Sequence, residues 1–281
     1  MSPKRPSKRA RTRSTARTAK GRPTLASRAD RYVLYQRAVQ DPEPEIAFIQ
    51  RVFKRTRGRA AQSFREDFCA TAHLATAWAK GHRARTAIGV DIDPEPLAWG
   101  RANVLAPEPE QVQARVTLAR ANVLEYAGPK VDVVGAFNFS YLIFKKRQEL
   151  VAYFRKAYEA LDRDGLFFCD LFGGTEAIVP SVESRRCKGG FTYVWEHARY
   201  NPIANEILCH IHFRFRDGSE IREAFTYDWR LWTIPEIREC LLEAGFRDTQ
   251  VWWDPTDEDE YRLSESEENQ PGWLVYIVGV K

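Results

Sequence analysis

Residues 65–72 read Arg65-Glu66-Asp67-Phe68-Cys69-Ala70-Thr71-Ala72, and nineteen residues after Ala72 the chain reads Gly89-Val90-Asp91. The first run closes a stretch, Gln62–Phe68, that reads as a strand. The small residues Cys69 to Ala72 predict a turn, and Thr71–Lys80 a helix closed by Gly81. Thr86–Asp91 predicts a second strand, followed by a helix with Asp93 as its cap and Pro94 at its first position. Two strand–turn–helix units in a row are the start of a doubly wound parallel sheet. Such sheets bind ligands outside the carboxyl ends of their strands. Small residues in the first turn let backbone approach the ligand, and an acid after the second strand suits ribose hydroxyls.

The same alternation continues outward. Arg115–Leu118 and Val131–Phe137 predict the third and fourth strands. Leu150, Phe154, Ala157, Tyr158 and Leu161 form one helical stripe before a fifth strand at Leu166–Leu171. Upstream, Tyr32-Val-Leu-Tyr35 leads into a helix expected to begin near Pro44 and to end at Gly58. Downstream the pattern changes to long strands, Phe191–Arg199, Glu206–Arg216 and Glu220–Trp229, with Asp217-Gly218 a tight turn between the last two. Thr233-Ile-Pro-Glu236 is a capping box, Gly245 stops its helix, and Phe246–Trp253 and Leu274–Val280 are the final strands. Between them, residues 254–270 carry eight Asp/Glu against Arg262 alone. The expected organisation is a tail, 1–30, a folded domain, 31–281, and an antiparallel β lid inserted over 174–232.

Composition narrows the class. Apolar residues make up 44% of the 281 and aromatics 12%, enough for a packed body. No apolar run approaches the roughly 18 residues that span a bilayer. Five scattered cysteines without a CxxC pair point to reduced thiols in a reducing compartment, so a soluble cytoplasmic protein is expected. The net charge of +5 conceals an asymmetry. Residues 1–30 hold ten Lys/Arg and only Asp30, leaving 33 basic and 37 acidic residues in the body. The tail has too little apolar surface to order itself. It reads as a solvated segment, a weak nucleic-acid tether or a targeting signal.

In order along the chain, Glu66…Cys69-Ala70-Thr71-Ala72, Val90-Asp91, Asn122-Val123-Leu124 and Val131-Asp132-Val133-Val134 resemble the successive motifs of class I S-adenosylmethionine-dependent methyltransferases. The segment 65–72 is also similar to a little-characterised group with a Glu-Asp-Phe-Cys-Gly-Thr-Ala turn. The resemblance spans most of residues 32–281. It implies a Rossmann-like, mostly parallel sheet with an antiparallel last strand, S-adenosylmethionine as cofactor and methyl transfer as the activity.

Phe68, Ala70 and Ala72 stand where the family carries glycines. Alanine adopts positive φ only at a cost, so the turn is expected to have a different backbone from the glycine version. A bulkier turn disfavours the pyrophosphate of a nicotinamide dinucleotide more than it disfavours S-adenosylmethionine, which has no phosphate. Residue by residue, the resemblance implies that Asp91 accepts the ribose hydroxyls, with a helix-capping acid as the alternative. Ile92 would pack on the adenine, and Asn122 with Val123 would meet its edge. Glu66 would hold the methionine ammonium, or be a solvated strand end. Cys69, Ala70 and Thr71 would line the methionine moiety, or Thr71 would only cap its helix.

The resemblance also implies that Asn138 and Ser140, after the fourth strand, fall beside the place where the methyl group is presented. Both suit orientation of a nucleophile by neutral hydrogen bonds, and Asn138 also suits contact with the cofactor. The alternative is a strand end satisfied by its own turn. If the acceptor needs deprotonation, His197, Glu196 and Asp228 are the candidate bases. His210 and His212 share one side of a strand, but no third ligand at a telling distance makes a metal site. Tyr193, Trp195, Tyr227, Trp229 and Trp232 supply aromatic surface to the insert, as lid core or as walls for a small-molecule acceptor. An RNA- or protein-modifying methyltransferase and a non-catalytic cofactor-binding module are the alternative functions.

Overall fold

Three helices precede the first strand: α1 (Leu25–Arg28), α2 (Arg31–Val39) and α3 (Pro42–Arg57). The computed structural model describes residues 23–254 and 260–281. Most of the basic tail therefore lies outside the described residues, as does part of the acidic loop. Its last residues do not follow the expectation of a structureless stretch to residue 30. Thr24 caps α1, and the Asp30 carboxylate accepts the amides of Tyr32 and Val33 to cap α2. Tyr32 to Tyr35, read as a lead-in, belong to α2, because that cap and the buried Tyr32, Leu34 and Ala38 give helical spacing. α3 begins two residues earlier than expected, with Pro42 in its first turn and Gly58 left-handed at its end.

The sheet then builds as predicted, with β1 (Ser63–Asp67), α4 (His73–Lys80), β2 (Thr86–Asp91), α5 (Pro94–Gly100) running into a π turn, α6 (Glu110–Gln113), β3 (Val116–Arg120) and β4 (Val131–Ala136). α7 (Arg147–Ala160) leads to β5 (Leu161–Gly173). The lid strands are β6 (Ser181–Cys187), β7 (Phe191–Asn201), β8 (Glu206–Phe215) and β9 (Glu220–Arg230). α8 (Ile234–Ala244), β10 (Asp248–Trp253), β11 (Arg262–Leu263) and β12 (Trp273–Val280) complete the chain.

The main sheet has the order β11-β10-β12-β5-β4-β1-β2-β3. β1 pairs in parallel with both β2 and β4, while β12 runs antiparallel between β5 and β10. Strand order reverses at β1, so the crevice beside its carboxyl end is the switch point where such sheets take ligands. Alternate side chains serve opposite faces. Leu166 and Phe168 join Phe53 and Trp78 on the α3–α4 side, whereas Phe167, Cys169 and Leu171 join Phe154 and Leu241 on the α7–α8 side.

The lid is a separate four-stranded antiparallel sheet, β6-β7-β8-β9. β6 was not anticipated. Its sequence, Ser-Val-Glu-Ser-Arg-Arg-Cys, is a charged edge strand almost wholly exposed, without the apolar alternation that marks half-buried strands. Four of the five cysteines are buried, and Cys187 is the half-exposed one. No helix among the described residues is long and apolar enough to cross a membrane.

Candidate active site at the switch point

The turn after β1 differs from expectation in an informative way. Phe68, Ala70 and Ala72, the three residues at glycine positions, all have positive φ, at 57°, 45° and 53°. The backbone follows the glycine-type path in spite of its side chains. Left-handed backbone costs a non-glycine residue about 1–2 kcal/mol, so surrounding contacts must hold it. They are visible. The Asp91 carboxylate accepts the Ala70 amide at 2.7 Å, and the Cys69 amide donates to the Val90 carbonyl at 3.1 Å. Gly89 gives room for the Cys69 thiol, and Gly100 lies where any Cβ would collide with the Thr71 carbonyl. The turn is thus clamped by β2 on one side and α5 on the other.

Because Ala72 is left-handed, the helix starts at His73 and has no side-chain cap of its own. Thr71 does not supply one; its hydroxyl accepts from the Gln36 amide at 3.0 Å, tying the turn to α2. The missing partner comes from Glu66, whose carboxylate accepts the Ala75 amide at 2.8 Å. Glu66 is buried, not a solvated strand end, and burial holds its carboxyl well above the usual range. Next to it, Asp67 makes a buried ion pair with Arg65 at 2.6 Å and accepts from Tyr153. Cys69 is also buried, so the turn offers backbone there.

Asp91 is half-buried, and desolvation raises its carboxyl. Its second oxygen accepts the Asp93 amide at 2.9 Å. A carboxylate has about four lone-pair sites, so two remain for a ligand's hydroxyls. Beside it, the Ile92 side chain is 65% exposed, an apolar surface with nothing packed over it. Asn122 accepts the Leu124 amide through Oδ1, which keeps one lone pair, and Val123 is buried beneath it. Clamped turn, half-used acid and bare isoleucine together fit an adenosine-type cofactor.

The end of β4 is strained in the same way. Asn138 and Phe139 have φ of 54° and 58°, and the buried Asp170 carboxylate accepts both their amides at 2.8 and 2.9 Å. Burial pushes Asp170 up to about 7. Asp170 escaped the sequence reading, although one acid inside the apolar run 166–171 was a signal. Ser140 is turned away: its hydroxyl donates to the Phe137 carbonyl at 2.7 Å, which satisfies it within its own turn.

Asn138 instead lines a cavity of about 580 Å³ between body and lid, walled by Tyr193, Trp195, Tyr227 and Trp229 from the lid, Phe139 from β4 and Tyr35 from α2. Trp232 is not a wall; it is buried and donates to the Phe144 carbonyl. None of the three candidate bases lines this cavity. His197 contacts the Arg199 carbonyl at 3.1 Å beside a register shift in β7. Glu196 contacts His212 at 2.8 Å, and Asp228 pairs with Lys145 at 2.6 Å. Asp228 falls between the wall residues Tyr227 and Trp229, and Glu196 directly follows Trp195, so both face the other side of their strands. His210 contacts Thr226. No group of three metal-ligating side chains occurs among the described residues.

No protein-family model matches the chain, and no curated protein is detectably similar to it. Solved structures are. An S-adenosylmethionine-dependent methyltransferase from Clostridium acetobutylicum superposes with a TM-score of 0.65 at 17% identity, over 88% of this chain and 96% of that one. An S-adenosylmethionine-bound amino pentose methyltransferase of calicheamicin biosynthesis from Micromonospora echinaspora gives 0.64 at 14%, over 88% and 95%. A sugar N-methyltransferase from Streptoalloteichus gives 0.61 at 17%, over 95% and 98%. The chain has the class I methyltransferase fold across nearly its whole described length.

Proposed function

We propose that the chain is an S-adenosylmethionine-dependent methyltransferase acting on a small molecule held between lid and body. The observation that carries this reading is the turn 68–72. Three residues sit in left-handed backbone and are latched to Asp91, at the switch point of a fold shared with proteins described as methyltransferases. Strain of this kind persists where function requires it. The cofactor supplies an electrophilic methyl group on a sulfonium. Asp91 binds the ribose through its two free lone-pair sites, Ile92 covers the adenine, and Asn122 meets its edge. The backbone of Cys69 to Thr71 and the end of β4 flank the methionine portion. Asn138 then stands where the transferred group meets the lid cavity, and the chain's contribution is chiefly alignment.

A small acceptor is favoured by the aromatic walls of the cavity. It is also favoured by the excess of acid over base in the folded body, which disfavours a nucleic-acid groove. The test is calorimetric titration of S-adenosylmethionine into wild type and Asp91→Ala, followed by labelled methyl incorporation into extract fractions below and above a few kilodaltons. Binding that depends on Asp91, with label in the small fraction, is expected. Absence of binding overturns the cofactor assignment, and label confined to RNA or protein overturns the small acceptor.

A further inference from the structure

A second cavity, of about 440 Å³, lies on the far side of Asn138 from the aromatic one, and Asn138 and Val39 line both. The two cavities adjoin at these residues, beside the end of β4 that the proposed function places next to the cofactor. Their charged residues are unequal. The second chamber holds Asp41, Glu45 and the pair Arg51–Glu260, which neutralises itself at 3.2 Å. Glu45 has no cationic partner within ion-pair distance among the described residues; its contact is the Tyr276 hydroxyl at 3.0 Å. The aromatic chamber holds Glu183 and Arg185, both on β6, and Arg185 is committed to the Ala38 carbonyl and to the Tyr193 ring.

From this arrangement we infer that the acceptor is an organic amine, bound as its ammonium with an apolar ring or chain against the lid and its charge between Asn138 and the Glu45 carboxylate. The inference rests on the methyltransferase reading and deepens it. Uncompensated carboxyls beside aromatic faces attract a cation, whose charge both recognise. Burial pushes Glu45 up to about 8, with Asp170 adding to it, and Asp170 itself is raised. Asp170 is buried and Glu45 partly so, and neither has a counter-charge among the described residues; a bound ammonium supplies one and displaces the Glu45 proton, leaving the carboxylate. For transfer, the ammonium gives one proton to the Glu45 carboxylate. Its nitrogen lone pair then forms the new N–C bond as the C–S bond breaks, and that electron pair stays on sulfur.

The test uses three probes that share a ring and differ in charge: phenethylamine, 2-phenylethanol and phenylacetate. Each is titrated into the full chain saturated with S-adenosylhomocysteine. The amine is expected to bind at least about tenfold more tightly than the other two, and to lose about tenfold in Glu45→Gln but less in Glu183→Gln, which lies in the aromatic chamber. Equal or tighter binding of the alcohol or the acid overturns the inference. So does amine binding that ignores Glu45→Gln or depends more on Glu183, and so does binding by none of the three. Titration of S-adenosylhomocysteine alone, on the same preparations, reports separately on the cofactor reading.

Discussion

The Asp91 carboxylate and the Ala70 amide, 2.7 Å apart, join the ends of β1 and β2 and hold left-handed backbone where glycine is customary. The acid fixes the turn, and in the proposed function it also faces the ligand. Asp91→Ala removes both. Leaving the Ala70 amide and a ligand hydroxyl unpaired costs about 1–3 kcal/mol each. We expect a lower melting temperature together with cofactor binding weakened about tenfold or more. A stable variant with unchanged affinity would refute the assignment.

Ala70→Gly probes the strain alone. Relief of about 1–2 kcal/mol in the folded state is partly offset by about 0.5–1 kcal/mol of extra freedom in the unfolded chain. The variant should be as stable as wild type or up to about 1 kcal/mol more so, and should still bind cofactor. Denaturant unfolding measures this, and clear destabilisation would mean that the methyl group of Ala70 contributes packing.

Glu45 and Asp170 set a pH dependence whose sign is opposite to that of an ion-paired acid. Their folded values, about 8 and about 7, lie above the ordinary 4.5 and 3.8. The folded state keeps protons that the unfolded chain has released, so their contribution is complete below about pH 4, declines steadily above it and is gone once pH has risen through 7 to 8. Asp41 and Asp170 both face Glu45 electrostatically, and Tyr276 is its hydrogen-bond partner. Melting temperature should therefore fall from pH 6 to pH 9, and Glu45→Gln should flatten that fall. A parallel decline in wild type and variant would show that Glu45 is ionised throughout.

Truncation separates the basic tail from the N-terminal helices. Deleting residues 1–30 removes the Asp30 cap, its bond to Trp99 at 2.7 Å, and the α1 amides that donate to Asp217 and Ser219 on the lid. It should lower the melting temperature more than deletion of residues 1–22 does, by about 1–2 kcal/mol for the cap alone. If the tail contacts RNA, filter binding should be weak, fall steeply with salt, and vanish in both truncations. Retained RNA binding would place the contact on the folded body.

The sequence was most legible where local pattern and tertiary role agree. The apolar strands at 131–136 and 166–171, the capping box at Thr233 and the acid at Asp91 were all read from residue type and spacing. The turn at 68–72 was located, but its backbone was not foreseen. Propensity argues against left-handed alanine, and what overrides it is a bond from a residue twenty-one positions away and the packing of Gly100. β6 was invisible because an edge strand needs no apolar face. Two candidate bases failed because side chains alternate across a strand: Glu196 and Asp228 are sequence neighbours of wall residues and face away from the cavity. His197 failed because its ring is taken up by the Arg199 carbonyl at the irregularity that follows it.

Helix α2 touches both halves of the cleft: Gln36 bonds Thr71 of the turn, and Tyr35, one residue earlier, walls the lid cavity. A ligand that shifts this turn of the helix from one side of the cleft shifts it for the other side as well. Coupling free energy is reciprocal, so whatever factor cofactor occupancy adds to acceptor affinity, acceptor occupancy returns to cofactor affinity. One helical turn thus carries a contact to each side of the cleft, so under the proposed function Gln36→Ala should alter affinity for the acceptor as well as for the cofactor.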